Sequence, residues 1–290
     1  MTETKKGEIY IFLETLLWAL FPVITLLSFS SLKPLASLAL STLSASVFFG
    51  FVITKKKLWK EVFSKTARKE ILLGTLFVGV IFYLLQFFGI SHTTAGNAAL
   101  ISQMEIFFSF LVFNVYKKEY FDTSHIFGAL LMLLGALIIL LPKSSQINPG
   151  DIFILLSTVA APLGNVFQQK AMKKVSSFNI MFWRNTLSFP IFFLLMFIYG
   201  QNFSGADLQK SLWLVIFSGV FLFGISKILW LEAIHRIPVV KANALNCIGP
   251  LFTIIFAYFL LKQSPTIWQL LAVLPLSLGI LILTKPSKKH

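Results

Sequence analysis

The sequence predicts an all-α integral membrane protein of ten transmembrane helices, arranged as two inverted repeats of five helices with both termini in the cytoplasm. Composition, segment length and an internal repeat predict this fold class. Of the 290 residues, 57% are hydrophobic and only 12% are charged, against about 25% charged in a soluble domain. A water-soluble globule cannot hide that much apolar surface. The composition therefore excludes soluble enzymes, nucleic-acid-binding proteins and disordered chains.

Ten apolar segments have about the length that a helix needs to cross a bilayer, and short connections separate them. A membrane span must satisfy its own backbone polar groups, and these runs are continuous, so helices are favoured over barrel strands. The predicted spans are 9–29, 34–54, 71–91, 94–116, 124–142, 150–168, 178–199, 211–232, 239–261 and 266–284. We expect the first span to be retained rather than cleaved as a signal peptide, because Glu14 interrupts its apolar run.

The positive charges predict the orientation of the spans. The formal net charge is +14, and Lys and Arg are enriched in the cytoplasmic loops of membrane proteins. With a cytoplasmic N-terminus, the connections on the outer side carry Lys33, Lys143, Lys210 and Lys262, whereas most of the 25 Lys and Arg residues lie on the inner side. This bias predicts a multi-pass protein of the cell (inner) membrane whose basic residues serve topology rather than nucleic-acid binding.

The two halves of the chain resemble each other. The segment GEIYIFLET at residues 7–15 matches GDIFILLST at residues 150–158, and Gly135 aligns with Gly279. In addition, TTAGNAALISQMEIFFSFLVF in the first half aligns with PVVKANALNCIGPLFTIIFAY in the second.

This register predicts two repeats, residues 7–142 and 150–285, of five spans each. An odd number of spans forces the second repeat to lie upside down relative to the first. Inverted repeats are typical of secondary transporters, which bind substrate near the membrane midplane where the repeats meet.

Several motifs carry a resemblance to a known family. They are LLWALFPV in the first span, ISHTTAGNAALISQ between the third and fourth spans, VFNVYKKE ending at Glu119, and AIHRIPVVKANALNCIGPLFTIIFAYFLLKQ in the second half. Together with two halves of five spans, they resemble the drug/metabolite transporter superfamily, EamA type, over nearly the whole chain.

The resemblance implies ten helices around a central cavity, lined mainly by spans 1, 3, 4, 6, 8 and 9, and alternating access without a cofactor. It also implies transport of metabolites such as amino acids, nucleotide-linked solutes or vitamins, more often outward in bacteria. The family pattern has a proline in the fourth span of each half. Pro250 keeps it, whereas the first half has Ile106 preceded by Glu105, and the second half ends that span with Gln263. These departures indicate a specialised member.

Four charged residues well inside the spans need an explanation, because a charge costs about 2.5–3.5 kcal/mol at the bilayer centre on insertion scales. Glu105 lies halfway along the fourth span, where it either binds an amino group or a coupling proton, or pairs with a basic residue to hold helices together. Asn97 is expected on the same helix face. Glu14 is a substrate ligand, a gate, or the partner of Lys227 or Arg184.

The two basic residues have similar alternatives. Lys227 holds a substrate carboxylate, acts as the counter-ion of Glu105, or extends to the cytoplasmic surface. Arg184 lies in the seventh span, which the resemblance makes peripheral, so structural pairing or extension to the surface is favoured.

Neutral side chains complete the candidate site. Asn243 and Asn246 lie on much the same helix side as Pro250, and either line the cavity or pack helices together. Gln86, Asn165 and Gln168 are further candidates. Trp18, Tyr83 and Trp230 stack on a substrate or, as is commoner for aromatic residues in membrane proteins, pack at the lipid interface.

These patterns favour a secondary transporter, in the exporting direction, for a small polar or amphipathic metabolite such as an amino acid. The charges of Glu14, Glu105, Arg184 and Lys227 sum to zero, which suits a zwitterion but also mutual pairing. A flippase for lipids or lipid-linked substrates is the alternative. The sequence has no paired intramembrane Asp, HExxH, GxSxG, Cys/His cluster or P-loop, which disfavours an enzyme, a metal site and an ATP-driven pump. The expected partners are a small molecule, the lipid bilayer and a coupling proton.

Overall fold

The protein folds into a bundle of helices. A computed structural model describes residues 2–117, 123–140, 148–237 and 239–283, so Glu119, Lys143 and the predicted repeat ends at 142 and 285 lie outside the described residues. The described part contains no strand, one short helix at Trp59–Val62, and ten longer helical segments. They are α1 (Glu3–Ala19 and Phe21–Ser28), α2 (Pro34–Lys55), α3 (Arg68–Ile90), α4 (Ala95–Ser102 and Met104–Lys117), α5 (Thr123–Leu140), α6 (Pro149–Met172), α7 (Ser177–Ile198), α8 (Gly205–Arg236), α9 (Val239–Asn246 and Gly249–Leu261) and α10 (Ile267–Leu283).

Most of these helices are long and apolar enough to cross a membrane. Eight of them meet that description in the described ranges, and α5 and α10 are apolar but shorter. The all-helical, multi-pass architecture predicted from the sequence is therefore confirmed. Ten membrane crossings and the cytoplasmic location of both termini remain predictions.

Polar caps define where several helices begin. Thr94, Asn148, Ser176 and Ser204 each accept a hydrogen bond from a backbone N–H in the first turn of α4, α6, α7 and α8, respectively. Such caps satisfy amides that have no partner within the helix. They fix the residues at which these helices begin and therefore the position of each helix along the bundle axis.

Corresponding helices of the two halves pack against each other in opposite directions. In the α2–α7 pair, Ser46 hydrogen-bonds Thr186 at 2.7 Å, and Lys33 donates to the Gly200 carbonyl at 3.2 Å. Residue numbers therefore rise along α2 as they fall along α7. In the α5–α10 pair, Gly128 lies against Gly279, and Gly135 lies against Leu276. This antiparallel packing of equivalent helices is the arrangement that an inverted repeat produces.

Non-equivalent helices of the two halves also pack against each other. Helix α1 packs on α8, and α3 packs on α6. Both pairs are antiparallel: Glu3 contacts Arg236 while Glu14 contacts Lys227, and Gln86 contacts Ser157 while Gly74 contacts Gln168. We call the end of the bundle where α1 begins and α8 ends the N-terminal face, and the other end the opposite face.

Several helices are irregular near the middle of the bundle. Helix α1 is interrupted at Leu20, α4 at Gln103 and α9 at Cys247–Ile248. Pro22 and Pro250 each lie at the start of the helical piece after the break, where proline is tolerated. Helix α4 breaks at the corresponding level without proline. Two wider π-helical stretches, Thr75–Ile81 in α3 and Ser218–Ile225 in α8, lie at equivalent places in the two halves.

The glycines of the α5–α10 pair allow the two helix backbones to approach closely. A larger side chain at one of these glycines is therefore expected to destabilise the protein. A Cβ atom at Gly279 would lie 2.7 Å from the Gly128 carbonyl oxygen and 2.8 Å from the Met132 amide nitrogen. We expect Gly279→Ala to lower the free energy of unfolding by about 1–3 kcal/mol, as overpacking does. Gly205→Ala is the control, because nothing lies within 4 Å of its new Cβ. Thermal unfolding of the purified proteins measures the difference, and equal midpoints would contradict the close packing.

Candidate functional site

A cavity lies in the centre of the bundle. Its volume is about 100 Å³. Residues of α1, α3, α4, α6, α8 and α9 line it, as the resemblance implies, and α7 contributes Met181 and Arg184 in addition. The predicted site residues in its wall are Glu14, Trp18, Tyr83, Gln86, Glu105, Asn165, Gln168, Arg184, Lys227, Trp230, Asn243 and Asn246.

Glu14 and Lys227 form an ion pair inside the bundle. The Lys227 Nζ atom lies 3.0 Å from Glu14 Oε1, and the side chains are 14% and 1% exposed. Ser226 Oγ donates to the same carboxylate oxygen at 3.2 Å, and the ammonium lies 3.2 Å from the centre of the Trp18 ring. Lys227 therefore neither extends to the surface nor contacts Glu105 directly. Of the alternatives for Glu14, partnership with Lys227 is the one that the structure shows.

Glu105 is held by an amide and not by a cation. Asn165 Nδ2 donates a hydrogen bond to Glu105 Oε1 at 3.0 Å. Within the part of the chain that the structure describes, no basic nitrogen lies within 4.0 Å of this carboxylate. Glu105 lies in the first turn of Met104–Lys117, where the helix dipole stabilises negative charge. The carboxylate thus faces the cavity without an ion-pair partner.

The expectation that Arg184 is peripheral was wrong. Its side chain is 2% exposed and lines the cavity, so it does not extend to the surface. Its Nη2 donates to the Phe223 carbonyl at 3.4 Å, and its guanidinium carbon lies 5.7 Å from the Tyr83 ring centre. Gly79 makes room for it, since a Cβ there would lie 2.9 Å from Arg184 Cγ.

The guanidinium also lacks an acidic partner. Across the described ranges, no carboxylate lies within 4.0 Å of Arg184, and its Nε has no hydrogen-bond acceptor. An Arg with an unused N–H at a cavity wall can bind a carboxylate or phosphate. Arg184 is therefore a candidate anion-binding residue, a role that its position in the seventh span did not suggest.

Hydrogen bonds between polar side chains connect the helices around the cavity. Gln86 Nε2 donates to Ser157 Oγ at 2.8 Å and to Ser102 Oγ at 3.2 Å. Thr15 Oγ1 donates to Asn246 Oδ1 at 2.9 Å. Sequence reasoning missed Thr15 and Ser226, because short hydroxyl side chains in apolar runs carry little signal. Ser157 was visible only as the residue that aligns with Glu14 in the repeat.

An aromatic cluster packs beside the cavity. Phe21 lies 6.1 Å from Phe223 and 6.0 Å from Phe87 between ring centres, and Tyr83 lies 4.4 Å from Phe223. The rings of Phe21, Phe87 and Phe223 are all almost fully buried. Trp18 stacks on Phe21 at 4.3 Å. Trp18 and Tyr83 therefore pack against other rings at the cavity wall and not at the lipid interface.

Asn97 does not share the cavity with Glu105, so this expectation was wrong. It lies in a second pocket at the opposite face, where its Nδ2 donates to Asp151 Oδ2 at 3.4 Å and its Oδ1 accepts from Gln269 Nε2 at 2.8 Å. Eight residues along a helix rise about 12 Å and turn about 80°. The break at Gln103 adds a change of direction between the two side chains.

The contact of Asn97 has a counterpart at the N-terminal face. Glu8 and Asp151 follow the equivalent glycines of the repeated segments, and each binds a side chain in the first turns of the fourth helix of the other half. Lys241 Nζ lies 2.5 Å from Glu8 Oε1, whereas Asp151 accepts from Asn97 and, at 2.5 Å, from Thr93 Oγ1. Equivalent contacts therefore connect the halves at both ends of the bundle.

Comparison with known proteins decides the family. The sequence matches the EamA-like transporter family twice, over residues 5–141 and 148–285. The chain belongs to the EamA-like transporter family. This confirms the resemblance to the drug/metabolite transporter superfamily, and it makes the protein a member of a transporter family and not an enzyme.

Relatives of this EamA-like protein include three named bacterial proteins. An uncharacterized transporter, YoaV of Bacillus subtilis (strain 168), is 23% identical over 93% of this chain and 94% of its own. Protein LicB of Haemophilus influenzae is 26% identical over 96% and 97%. An S-adenosylmethionine uptake transporter of Rickettsia prowazekii is 28% identical over 48% and 46%. A solved structure aligns over 96% of both chains with a TM-score of 0.69 at 14% identity, which shows the fold alone.

The Glu14–Lys227 pair predicts a characteristic pattern of stability. Removing one partner of a buried ion pair leaves an uncompensated charge and costs about 3–5 kcal/mol, whereas replacing both is often nearly neutral. We expect Glu14→Gln and Lys227→Met each to lower the thermal unfolding midpoint and the double variant to recover most of the loss. Additive losses in the double variant would show that the two side chains do not act as a pair.

Proposed function

We propose that this EamA-like protein is a secondary active transporter, and an exporter, of a small polar or amphipathic metabolite such as an amino acid, in the cell (inner) membrane. The observation that carries the proposal is one central cavity with an unpaired carboxylate, Glu105, and an unpaired guanidinium, Arg184. The proposal includes ten membrane crossings, inverted halves and cytoplasmic termini, which the antiparallel packing of α2 on α7 and of α5 on α10 supports.

The two unpaired charges favour a zwitterionic ligand. The Glu14–Lys227 pair neutralises itself, so it leaves no net charge for a substrate to match. A lone ion that is buried costs several kcal/mol. A ligand that brings an ammonium group to Glu105 and a carboxylate to Arg184 removes both costs at once. Charge-assisted hydrogen bonds of this kind are roughly twice as strong as neutral ones.

The two groups lie at similar depths in the bundle. Arg184 is about 10 Å along α7 from Ser177 at the N-terminal face, and Glu105 is about 15 Å along α4 from Ala95 at the opposite face. In a hydrocarbon core about 30 Å thick, their depths differ by about 5 Å. A molecule of amino-acid size can bridge such an offset. Its carboxylate would bind nearer to the N-terminal face than its ammonium group does.

Alternating access follows from how the halves are joined. Glu105 belongs to the first half and Arg184 to the second, so a zwitterion bound to both connects the halves through the substrate. The contacts Glu8–Lys241 and Asp151–Asn97 join the same pair of halves at the two faces. In the proposed cycle, one contact opens while the other stays closed.

The direction of transport is tested separately. The family resemblance favours export, whereas one relative is named an uptake transporter. Counterflow in proteoliposomes of known protein orientation distinguishes the two. Transfer of labelled phospholipid between leaflets, without counterflow of small solutes, would instead favour the flippase alternative.

Glu105 is predicted to be required for transport but not for folding. Glu105→Gln keeps a carbonyl oxygen that can accept from Asn165 and removes the charge that binds an ammonium group. We expect substrate counterflow to fall by at least about tenfold, because a hydrogen bond to a charged group contributes about 1.5–3 kcal/mol. Glu70→Gln is the matched control, since Glu70 pairs with Lys174 outside the cavity. Wild-type counterflow by Glu105→Gln in vesicles would remove this residue from the mechanism.

Arg184 is predicted to recognise the carboxylate. A screen of amino acids by thermal shift identifies a stabilising ligand, since binding to the native state raises the unfolding midpoint. We expect the carboxamide of that ligand to lose most of the shift with wild-type protein. Arg184→Gln should bind the acid and the carboxamide about equally and weakly. If Arg184→Gln still prefers the acid as strongly as wild type does, a different residue binds the anionic group.

A further inference from the structure

The connection between α2 and α3 is strongly basic and fully described by the structure. We call residues 55–69 the basic platform. Its Lys and Arg side chains are all exposed: Lys55, Lys56, Lys57, Lys60, Lys65, Arg68 and Lys69. The platform lies at the N-terminal face of the bundle, where α2 ends and α3 begins.

The platform is fixed to the start of α7. Glu61 Oε1 accepts from the Ser176 backbone amide at 2.6 Å and from its hydroxyl at 2.8 Å. Asn179 Nδ2 donates to the Glu61 carbonyl at 3.0 Å, and Trp183 Nε1 donates to the Val62 carbonyl at 2.9 Å. The basic side chains therefore project from a segment whose backbone is hydrogen-bonded to the second half of the protein.

The acidic residues near the platform already bind other groups. Glu61 binds Ser176, and Glu70 forms an ion pair with Lys174 at 2.6 Å. No platform cation forms an ion pair with any acid in the ranges that the structure covers. The platform therefore presents a concentrated positive charge that forms no ion pair with the described acids.

Two aromatic rings accompany this charge. Trp59 and Phe63 stack on each other with ring centres 5.8 Å apart, and 71% of Phe63 is exposed. Trp59 is exposed as well. Aromatic rings beside basic side chains are typical of protein surfaces at the level of the lipid headgroups.

The repeat supplies an internal comparison. The equivalent stretch in the second half, residues 198–212 around the connection between α7 and α8, contains Lys210 and no other Lys or Arg. Its backbone is also fixed to the other half, because Lys33 donates to the Gly200 carbonyl and Gln201 Oε1 accepts from the Leu35 amide. A connection at this position of the five-helix unit therefore forms with little positive charge. The enrichment of Lys and Arg in cytoplasmic loops accounts for the sign of the charge on the platform, and a surface of that sign attracts anionic lipid.

We propose that the basic platform binds the phosphate headgroups of anionic phospholipids in the leaflet at the N-terminal face. Clusters of basic residues beside a transmembrane helix bind anionic lipid, and each Lys or Arg contributes through attraction to the negative surface. The stacked rings of Trp59 and Phe63 insert at the interface next to the bound headgroups. Because the platform is hydrogen-bonded to α7, bound lipid stabilises the contact between the two halves. The proposal does not depend on the transported substrate.

Full-length protein in nanodiscs tests this proposal. Discs of phosphatidylcholine alone are compared with discs that also contain phosphatidylglycerol, and two properties are measured: the thermal unfolding midpoint and the number of lipids retained in native mass spectra. The test variant is Lys56→Gln/Lys57→Gln/Lys60→Gln. The matched control, Lys5→Gln/Lys210→Gln/Lys262→Gln, removes the same charge from exposed positions elsewhere. All of these side chains lie outside the cavity.

We expect phosphatidylglycerol to raise the midpoint of the wild type and of the control, and to be retained by both. The platform variant should bind it about fivefold more weakly for each lysine removed, which corresponds to about 1 kcal/mol per lysine. Phe63→Ser should reduce retention without changing the charge. Equal retention by the platform variant and the control would overturn the proposal. A midpoint shift of the same size with inorganic phosphate would overturn it too, because lipid would then not be the specific ligand.

Discussion

The cost of placing charge in a low-dielectric interior organises the centre of this protein. An ion within the hydrocarbon region needs a partner of opposite charge, and Glu14 and Lys227 meet this need for each other across α1 and α8. Glu105 and Arg184 satisfy only part of their hydrogen-bonding capacity, through Asn165 and the Phe223 carbonyl. The same physical rule therefore distinguishes a charge-compensated pair from two groups that have no ion-pair partner among the described residues.

Two similar halves build this site, but they do not contribute the same chemistry. Breaks in α4 and α9 and wide turns in α3 and α8 occur at equivalent places. Irregular backbone of this kind is tolerated at membrane depth where it lines a cavity. The charged side chains do not follow the repeat: Glu14 aligns with Ser157, and Glu105 aligns with Pro250 in the repeated segments. A symmetric scaffold thus carries an asymmetric set of charges.

The sequence predicted the helical architecture well, because apolar length and the repeated segments report on it directly. It also predicted most of the polar residues in the cavity, since a charge in an apolar run is conspicuous. It failed for Asn97 and Arg184. Sequence spacing does not reveal the break at Gln103, which separates Asn97 from Glu105. Nor does it reveal that Gly79 leaves space for the Arg184 side chain to reach the cavity from α7.

The Glu8–Lys241 and Asp151–Asn97 contacts at the two faces differ in their environment. Lys241 and Glu8 are 44% and 39% exposed, and screening weakens exposed ion pairs, with a Debye length of about 8 Å at physiological ionic strength. Asp151 is buried and meets neutral donors from Thr93 and Asn97, which dissolved ions screen far less. Ionic strength therefore acts unequally on these two contacts, because dissolved ions weaken the exposed Glu8–Lys241 ion pair more than the buried hydrogen bonds of Asp151.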